Sequence, residues 1–462
     1  MRKAIVLLLS LTLMISAASC SQKSDSADNR TSNHESTVDT TALTESTTSE
    51  TMALTETATA ETATKEKKVY DYVHGEDEYY NIADEMPEFE MKSQNYGTCW
   101  LHAAAASMET SYFKKNGSYI SIDPMRLLDL TYLDEKDEGF FVKEGINGKN
   151  LGGWQWIVTE KLSNGFDGLA IDSSIILDEN DREAIKENIR KRGAVAIGVL
   201  DSDKGKKGWF GPYHTINYTR NDNFDHDVTI IGYDDHFPKD YFKEPASEDG
   251  AWITYNSSLG SAGYYYISYC APLEYAISHS VTEKYGEILS YDAGDQQYLI
   301  SQFLSYAEAH GHDKSSLHDR YVKTGDSTKT ANVFHKAGKL AAVGTYNDFD
   351  QQDITIDIYN ADFTKLLYTQ NAVLDYHGYH TISLDTPVDV TDYAVAVTYT
   401  KGASVEGEYV DCDELEYKTV SEKGQSFVFI DNKWKDMTDS DIKDALNIDF
   451  EPNNCCIKAI YQ

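Results

Sequence analysis

Basic residues are scarce in this chain: 41 Lys and Arg stand against 76 Asp and Glu, a formal net charge of −35. A nucleic-acid interface needs a basic footprint, so that class of function is excluded. The acidic balance suits an exposed, soluble protein and is compatible with cation binding, although acidic surfaces are most often solvated faces. Cysteine is scarce too. The six cysteines, Cys20, Cys99, Cys270, Cys412, Cys455 and Cys456, have no zinc-site spacing and are too few for a disulfide scaffold. A bridge among the last four stays open, with no pairing fixed by the sequence. The apolar run at the start, Ala4 to Ile15, is too short to cross a bilayer comfortably. Large apolar residues nearly vanish between 21 and 67, where Ser, Thr, Ala and Glu dominate. Such a segment cannot bury enough surface to offset chain entropy, so no folded domain is expected there.

What is present falls into four parts. Residues 1–19 read as a signal peptide: Arg2 and Lys3 start it, the apolar run follows, and Ser16-Ala17-Ala18-Ser19 is a small-residue cleavage site. Cys20 directly after it resembles the lipobox of bacterial lipoproteins, with Ala17 where Leu is usual; the resemblance implies cleavage before Cys20 and a diacylglycerol on its thiol. Residues 20–67 then form a tether, whose ~45-residue coil reaches roughly 35–40 Å. Residues 68–275 alternate helical and strand patterns. Leu101 to Phe113 and Ile122 to Leu133 have helical spacing, and Asp178 to Lys191 is a helix with Asp181 as its cap. Ala194 to Val199, His226 to Gly232, Ala251 to Asn256 and Tyr264 to Tyr269 read as strands. Helices first and antiparallel strands later make an α+β two-lobed domain. Residues 280–462 are different: Val333-Phe334, Ala341 to Tyr346, Ile354 to Tyr359, Tyr379 to Leu384, Tyr393 to Tyr399, Gln425 to Ile430 and Cys456 to Ile460 are short strands of an all-β sandwich. The 33 tyrosines fit that β-rich texture.

Chemistry concentrates at Ser93-Gln94-Asn95-Tyr96-Gly97-Thr98-Cys99-Trp100. Cys99 opens a helix, where the partial positive charge of the helix start favours a thiolate. A buried structural thiol is the common alternative for a free cysteine. His226 follows Cys99 by 127 positions and Asn256 follows it by 157, each at the end of a strand able to aim it into a shared cleft. The types match a chemical need. An imidazole takes the thiol proton, an amide oxygen orients the imidazolium, and a separate donor holds the tetrahedral oxyanion. His214 and His236 are rival bases that open no such strand, and His102 beside Cys99 reads as packing.

Taken in order, these motifs resemble the papain family of cysteine peptidases, of bacterial cell-surface type. Gly97-Thr98-Cys99-Trp100 is similar to the nucleophile motif, His226 with Val228 to Tyr233 to the histidine strand, and Asn256-Ser257 to the asparagine motif, with Gly263-Tyr264 opening the strand that follows. The resemblance implies Cys99, His226 and Asn256 as catalytic residues and Gln94 as oxyanion donor. It implies that Gly152 and Gly153 bind extended substrate through their backbone; a plain turn is the other reading of that pair. Gly424 to Phe427 and Cys456 to Ala459 resemble a lectin-like domain. The expected activity is hydrolysis of protein peptide bonds through a thioester, with no required cofactor and no metal at the site. Calcium near Asp348, Asp350 and Asp353 in the C-terminal domain, a cell-wall glycan or other surface ligand, and an extracellular position held by the lipid anchor complete the expectation. The alternative is a catalytically silent papain-like scaffold acting as an adhesin, and acyl transfer would use the same trio. Three departures mark this chain: Gln94 stands five residues before Cys99 where six is usual, Ser258 replaces a Trp, and Asp227 replaces an Ala.

Overall fold

A helix buried on every side organises the N-terminal half of this computed structural model. It describes residues 72–462 apart from 76–77, 133–138, 144, 202–208, 211–213, 220–223, 259–262, 284, 294–320, 323, 325–326, 408–409, 412–414 and 449–450. The expected signal peptide, Cys20, tether and Cys412 lie outside the described residues. Helix α1 (Cys99–Asn116) is buried continuously from Cys99 to Ser111. Its apolar and small residues run all round the axis instead of forming one stripe, which is the pattern of a fully enclosed helix. Gly117, in the left-handed region at φ 66°, ends it by donating its N–H to Phe113 O.

One side of α1 meets α2 (Pro124–Tyr132) and α3 (Gln155–Leu162). These helices share a core with Trp100, Leu101, Met108, Leu128 and Trp156. The other side lies against a twisted antiparallel sheet. Its strands are β1 (Leu169–Leu177), β2 (Val195–Val199), β3 (His226–Asp234), β4 (Ala251–Asn256), β5 (Gly263–Ser268) and β6 (Ala276–Glu283). The ladder runs β1–β6–β2–β3–β4–β5. Helix α4 (Arg182–Lys191) is capped by Asp181, which accepts from Ala184 N at 3.0 Å, as its sequence predicts. Small residues bring α1 close to the sheet. A Cβ on Gly193 would lie 2.7 Å from Ser111 N, and Ser107 Oγ donates to Ala194 O at 2.7 Å.

The C-terminal half is dominated by strands, and the all-β expectation is corrected by a short helix at Ile442–Leu446, whose Ile442 and Leu446 are buried in the core. Its long strands are β7 (Thr328–Asn347), β8 (Gln352–Asn360), β9 (Leu366–Leu374) and β10 (Gly378–Tyr399), followed by β11 (Ser426–Ile430), β12 (Lys433–Asp436) and β13 (Ile457–Tyr461). Each pair of short strands expected at 333–346 and 379–399 is a single long strand. The β7–β10 ladder is interrupted between His335 and Gly338 and again between Leu340 and Ala342. Pro387 falls in the second interruption, where no ladder hydrogen bond is asked of it.

The two halves are joined by more than a linker. The break expected between 275 and 280 falls inside or beside β6, which pairs with β1 along its whole length. Gly378 to His380 of β10 pair with Ser173 to Ile175 of β1, and the strand Leu415–Lys418 pairs with Gly139–Val142. Tyr346, Tyr379 and Cys456 pack into the core that holds Trp156 and Ile171. Lys458 and Asp292 form a fully buried ion pair at 2.9 Å.

Candidate active site

Cys99 is the first residue of α1 and is buried. The preceding Thr98 makes no side-chain cap; its backbone carbonyl instead accepts from Leu101 N and His102 N, each at 3.1 Å. Trp100 anchors the turn by packing on Tyr132, with centroids 5.2 Å apart. A Cβ on Gly153 would lie 2.5 Å from the Trp100 ring, so only glycine lets that backbone approach. Gly152, at φ 86°, accepts from Tyr132 Oη at 3.0 Å. The expected glycine pair therefore sits against the residue next to Cys99.

His226 opens β3 and Asn256 closes β4, its antiparallel neighbour, so two residues thirty apart meet at one end of the sheet. His226 Nε2 and Asn256 Oδ1 are 2.9 Å apart, with both residues buried. Asn256 Oδ1 also accepts from Ser258 N at 2.9 Å. An amide oxygen held by one N–H accepts a second from the ring, which assigns the proton to Nε2 and leaves Nδ1 as the other basic nitrogen. Asn256 Nδ2 is buried and has no hydrogen-bond partner among the described residues. Ser258, where the resemblance implies a Trp, supplies the backbone N–H that Asn256 Oδ1 accepts.

Gln94 is fully buried and tied to the residue after Asn256. Its backbone N–H donates to Ser257 O at 2.8 Å, and Ser257 Oγ donates to Gln94 Oε1 at 2.7 Å. Gln94 Nε2 donates to Tyr96 O at 2.9 Å, using one of its two hydrogens. The one-residue shortening before Cys99 thus comes with a clamp that fixes the amide.

The rival histidines lie elsewhere. His214 stacks on Tyr265 at 5.1 Å and is exposed, and exposed His236 pairs with Glu78 at 3.0 Å. His102 is buried against Tyr255 Oη at 3.3 Å, and burial, then Lys92, push it down to about 4.

Sequence reading missed two features. Asp227, beside His226, ends a buried chain: Gln155 Nε2 donates to Asp227 Oδ2 at 2.8 Å, His279 Nε2 meets Gln155 Oε1 at 3.0 Å, and Ser174 Oγ meets His279 Nδ1 at 2.8 Å. Burial pushes the Asp227 carboxyl up to about 6 against its hydrogen bonds and the nearby His226, and pushes His279 down to about 3. Asp201, just after β2, has its carboxylate 4.0 Å from His226 Nε2, and both side chains are buried. Its only sequence signal was an acidic residue closing a buried strand.

Residues 310–461 match the model of the lectin-like domain family. Clostridial cysteine protease Cwp84, as a cysteine-to-alanine variant after propeptide cleavage, superposes with a TM-score of 0.63 at 16% identity, covering 83% of this chain and 98% of that one. The cysteine protease and lectin-like domains of Cwp84, a surface layer associated protein of Clostridium difficile, give 0.62 at 15% identity over 83% of this chain and 88% of theirs. Cathepsin S of Rattus norvegicus is 24% identical over 196 residues, which span 36% of this chain and 53% of that enzyme.

The fold is papain-like, joined to a lectin-like domain. Asp227 is buried, and the polar chain from Gln155 is what accommodates its carboxyl. The lectin-like domain offers no group of three or more His, Cys, Asp or Glu placed to hold a metal among the described residues. Asp348 accepts from Ser404 Oγ at 2.8 Å and Asp350 pairs with His377 at 2.8 Å, so two of the three carboxylates expected for calcium engage separate partners. Cys270, Cys455 and Cys456 form no disulfide among the described residues. Cys455 faces the lectin-like core and Cys456 the peptidase core. The bridge left open among the last four cysteines is therefore absent among the described residues.

Proposed function

We propose that this protein is a cysteine endopeptidase held at the bacterial cell surface by lipid on Cys20, with a lectin-like domain that binds a glycan or another surface ligand. The observation that carries the peptidase reading is the buried His226–Asn256 hydrogen bond at the end of the sheet that packs against α1, whose first residue is Cys99. His226 Nδ1 takes the Cys99 proton, leaving a thiolate–imidazolium pair. The sulfur attacks the scissile carbonyl, and the oxyanion is held by the Cys99 backbone N–H and the second hydrogen of Gln94 Nε2. The imidazolium then gives its proton to the leaving amine, the C–N bond breaks, and a thioester remains. Water, deprotonated by His226, hydrolyses it and returns the thiol. Gly152 and Gly153 lie beside Trp100, where their backbone can pair with an extended peptide. Cwp84 is a surface layer associated cysteine protease with the same two-domain architecture, which supports the surface placement.

Cleavage of an unstructured protein by wild type, Cys99→Ala and His226→Ala tests this reading. Loss of at least a thousandfold in both variants is expected. Equal cleavage by Cys99→Ala would sink it. The silent adhesin would instead give no turnover and the same slow labelling by an epoxide warhead with or without His226.

A further inference from the structure

We infer that Asp201 is a positioning residue for His226, a buried carboxylate that holds the imidazolium charged. The inference rests on the reading of His226 as the proton carrier. Asp201 Oδ2 lies 4.0 Å from His226 Nε2, and the two side chains are 3% and 1% exposed. The carboxylate is fixed from the backbone up. Strand β2 ends at Val199, Asp225 N donates to Val199 O at 3.1 Å, and Asp225 Oδ1 accepts from Asp201 N at 2.7 Å. The two residues flanking the gap between β2 and β3 thus hold each other, and Asp201 is aimed at the start of β3.

The hydrogen on Nε2 is already given to Asn256. At 4.0 Å the carboxylate therefore acts by charge, not by taking that hydrogen. Unit charges so close, and screened from solvent, interact far more strongly than an exposed pair. The groups facing the ring can be compared. From α1 comes His102, held neutral near neutral pH by burial. From β3 comes Asp227, whose own charge is resisted by burial. From β4 comes Asn256, which carries no charge. Asp201 is the anion within salt-bridge range of Nε2 among the described residues. It sits on the Nε2 side of the ring, and the sulfur must use Nδ1. The carboxylate therefore stabilises the imidazolium more than it disfavours the thiolate.

The test is the pH profile of Cys99 alkylation by iodoacetamide, which reads the thiolate–imidazolium pair without turnover. In Asp201→Asn, which keeps the side-chain shape and the backbone bond to Asp225, the alkaline limb should fall by about one pH unit. The acid limb should move less, in the same direction. Asp201→Glu, which retains the charge, should restore the alkaline limb. An alkaline limb unmoved in Asp201→Asn would overturn the inference, as would equal displacement in Asp201→Asn and Asp201→Glu. A wild-type profile identical to that of His226→Ala would instead remove the catalytic reading beneath it.

Discussion

Asp227 offers a sharp test because its environment fixes both the sign and the size of an effect. The residue is 7% exposed and its carboxylate accepts from Gln155, yet burial raises it from 3.8 to about 6. Folding therefore favours the protonated form. A group raised in the folded state contributes its full share of stability below its unfolded pKa and loses it as pH rises through the folded value. The loss here begins near pH 4 and is complete above about pH 6.5. A shift of about two units, at 1.36 kcal/mol each, makes the loss about 3 kcal/mol. Asp227→Asn removes the titration and keeps an oxygen for Gln155 Nε2. The variant should match wild type near pH 3.5 and become more stable by up to about 3 kcal/mol at pH 7. Guanidinium unfolding of the two proteins from pH 3.5 to 7.5 measures this, since titrations common to both cancel in the difference. Glu274, raised to about 8 by burial and then by Asp227, should titrate lower in the variant and broaden the curve. A difference that stays flat across the range, or that favours wild type at pH 7, would refute the reasoning.

Ser257→Ala removes the donor that fixes Gln94 Oε1 and should lower kcat about tenfold with KM little changed, less than the roughly 10²–10³ for loss of a whole oxyanion donor; steady-state kinetics decide it, and an unchanged kcat would detach Gln94 from catalysis. Gly153→Ala places a Cβ against Trp100 and should cost about 1–3 kcal/mol of stability, with turnover falling as the Cys99 turn shifts; thermal melts and turnover measured together check this. Lys458→Met leaves Asp292 buried without its cation and should cost about 3–5 kcal/mol, most of it recovered by adding Asp292→Asn. Because that pair lies at the junction, unfolding followed separately in the two halves should shift together, and a shift confined to the lectin-like domain would count against a shared core.

The local pattern of this chain determined most of its elements and the candidates for its site. Helical spacing after Gly97-Thr98, and strands that begin at His226 and end at Asn256, were enough to name Cys99, His226 and Asn256, because strand ends meet at one edge of an antiparallel sheet. Periodicity failed where burial does not alternate. The exposed middle of β7, at 335–339, reads as a turn although the chain runs on through a bulge, and the mostly exposed edge strand β9 carries no clear apolar face. The clamp of Ser257 on Gln94 joins residues 163 positions apart, and His279 reaches Gln155 across 124. No local signal predicts such contacts, because they exist only once the sheet and α1 have set the distances. The same holds for the union of the halves, where β10 pairs with β1 and Tyr379 enters the peptidase core. Sequence supplied the chemistry, since side-chain type is local. Tertiary structure decided its charge environment, since burial and neighbours at 4.0 Å, such as Asp201 beside His226, are properties of the packed molecule.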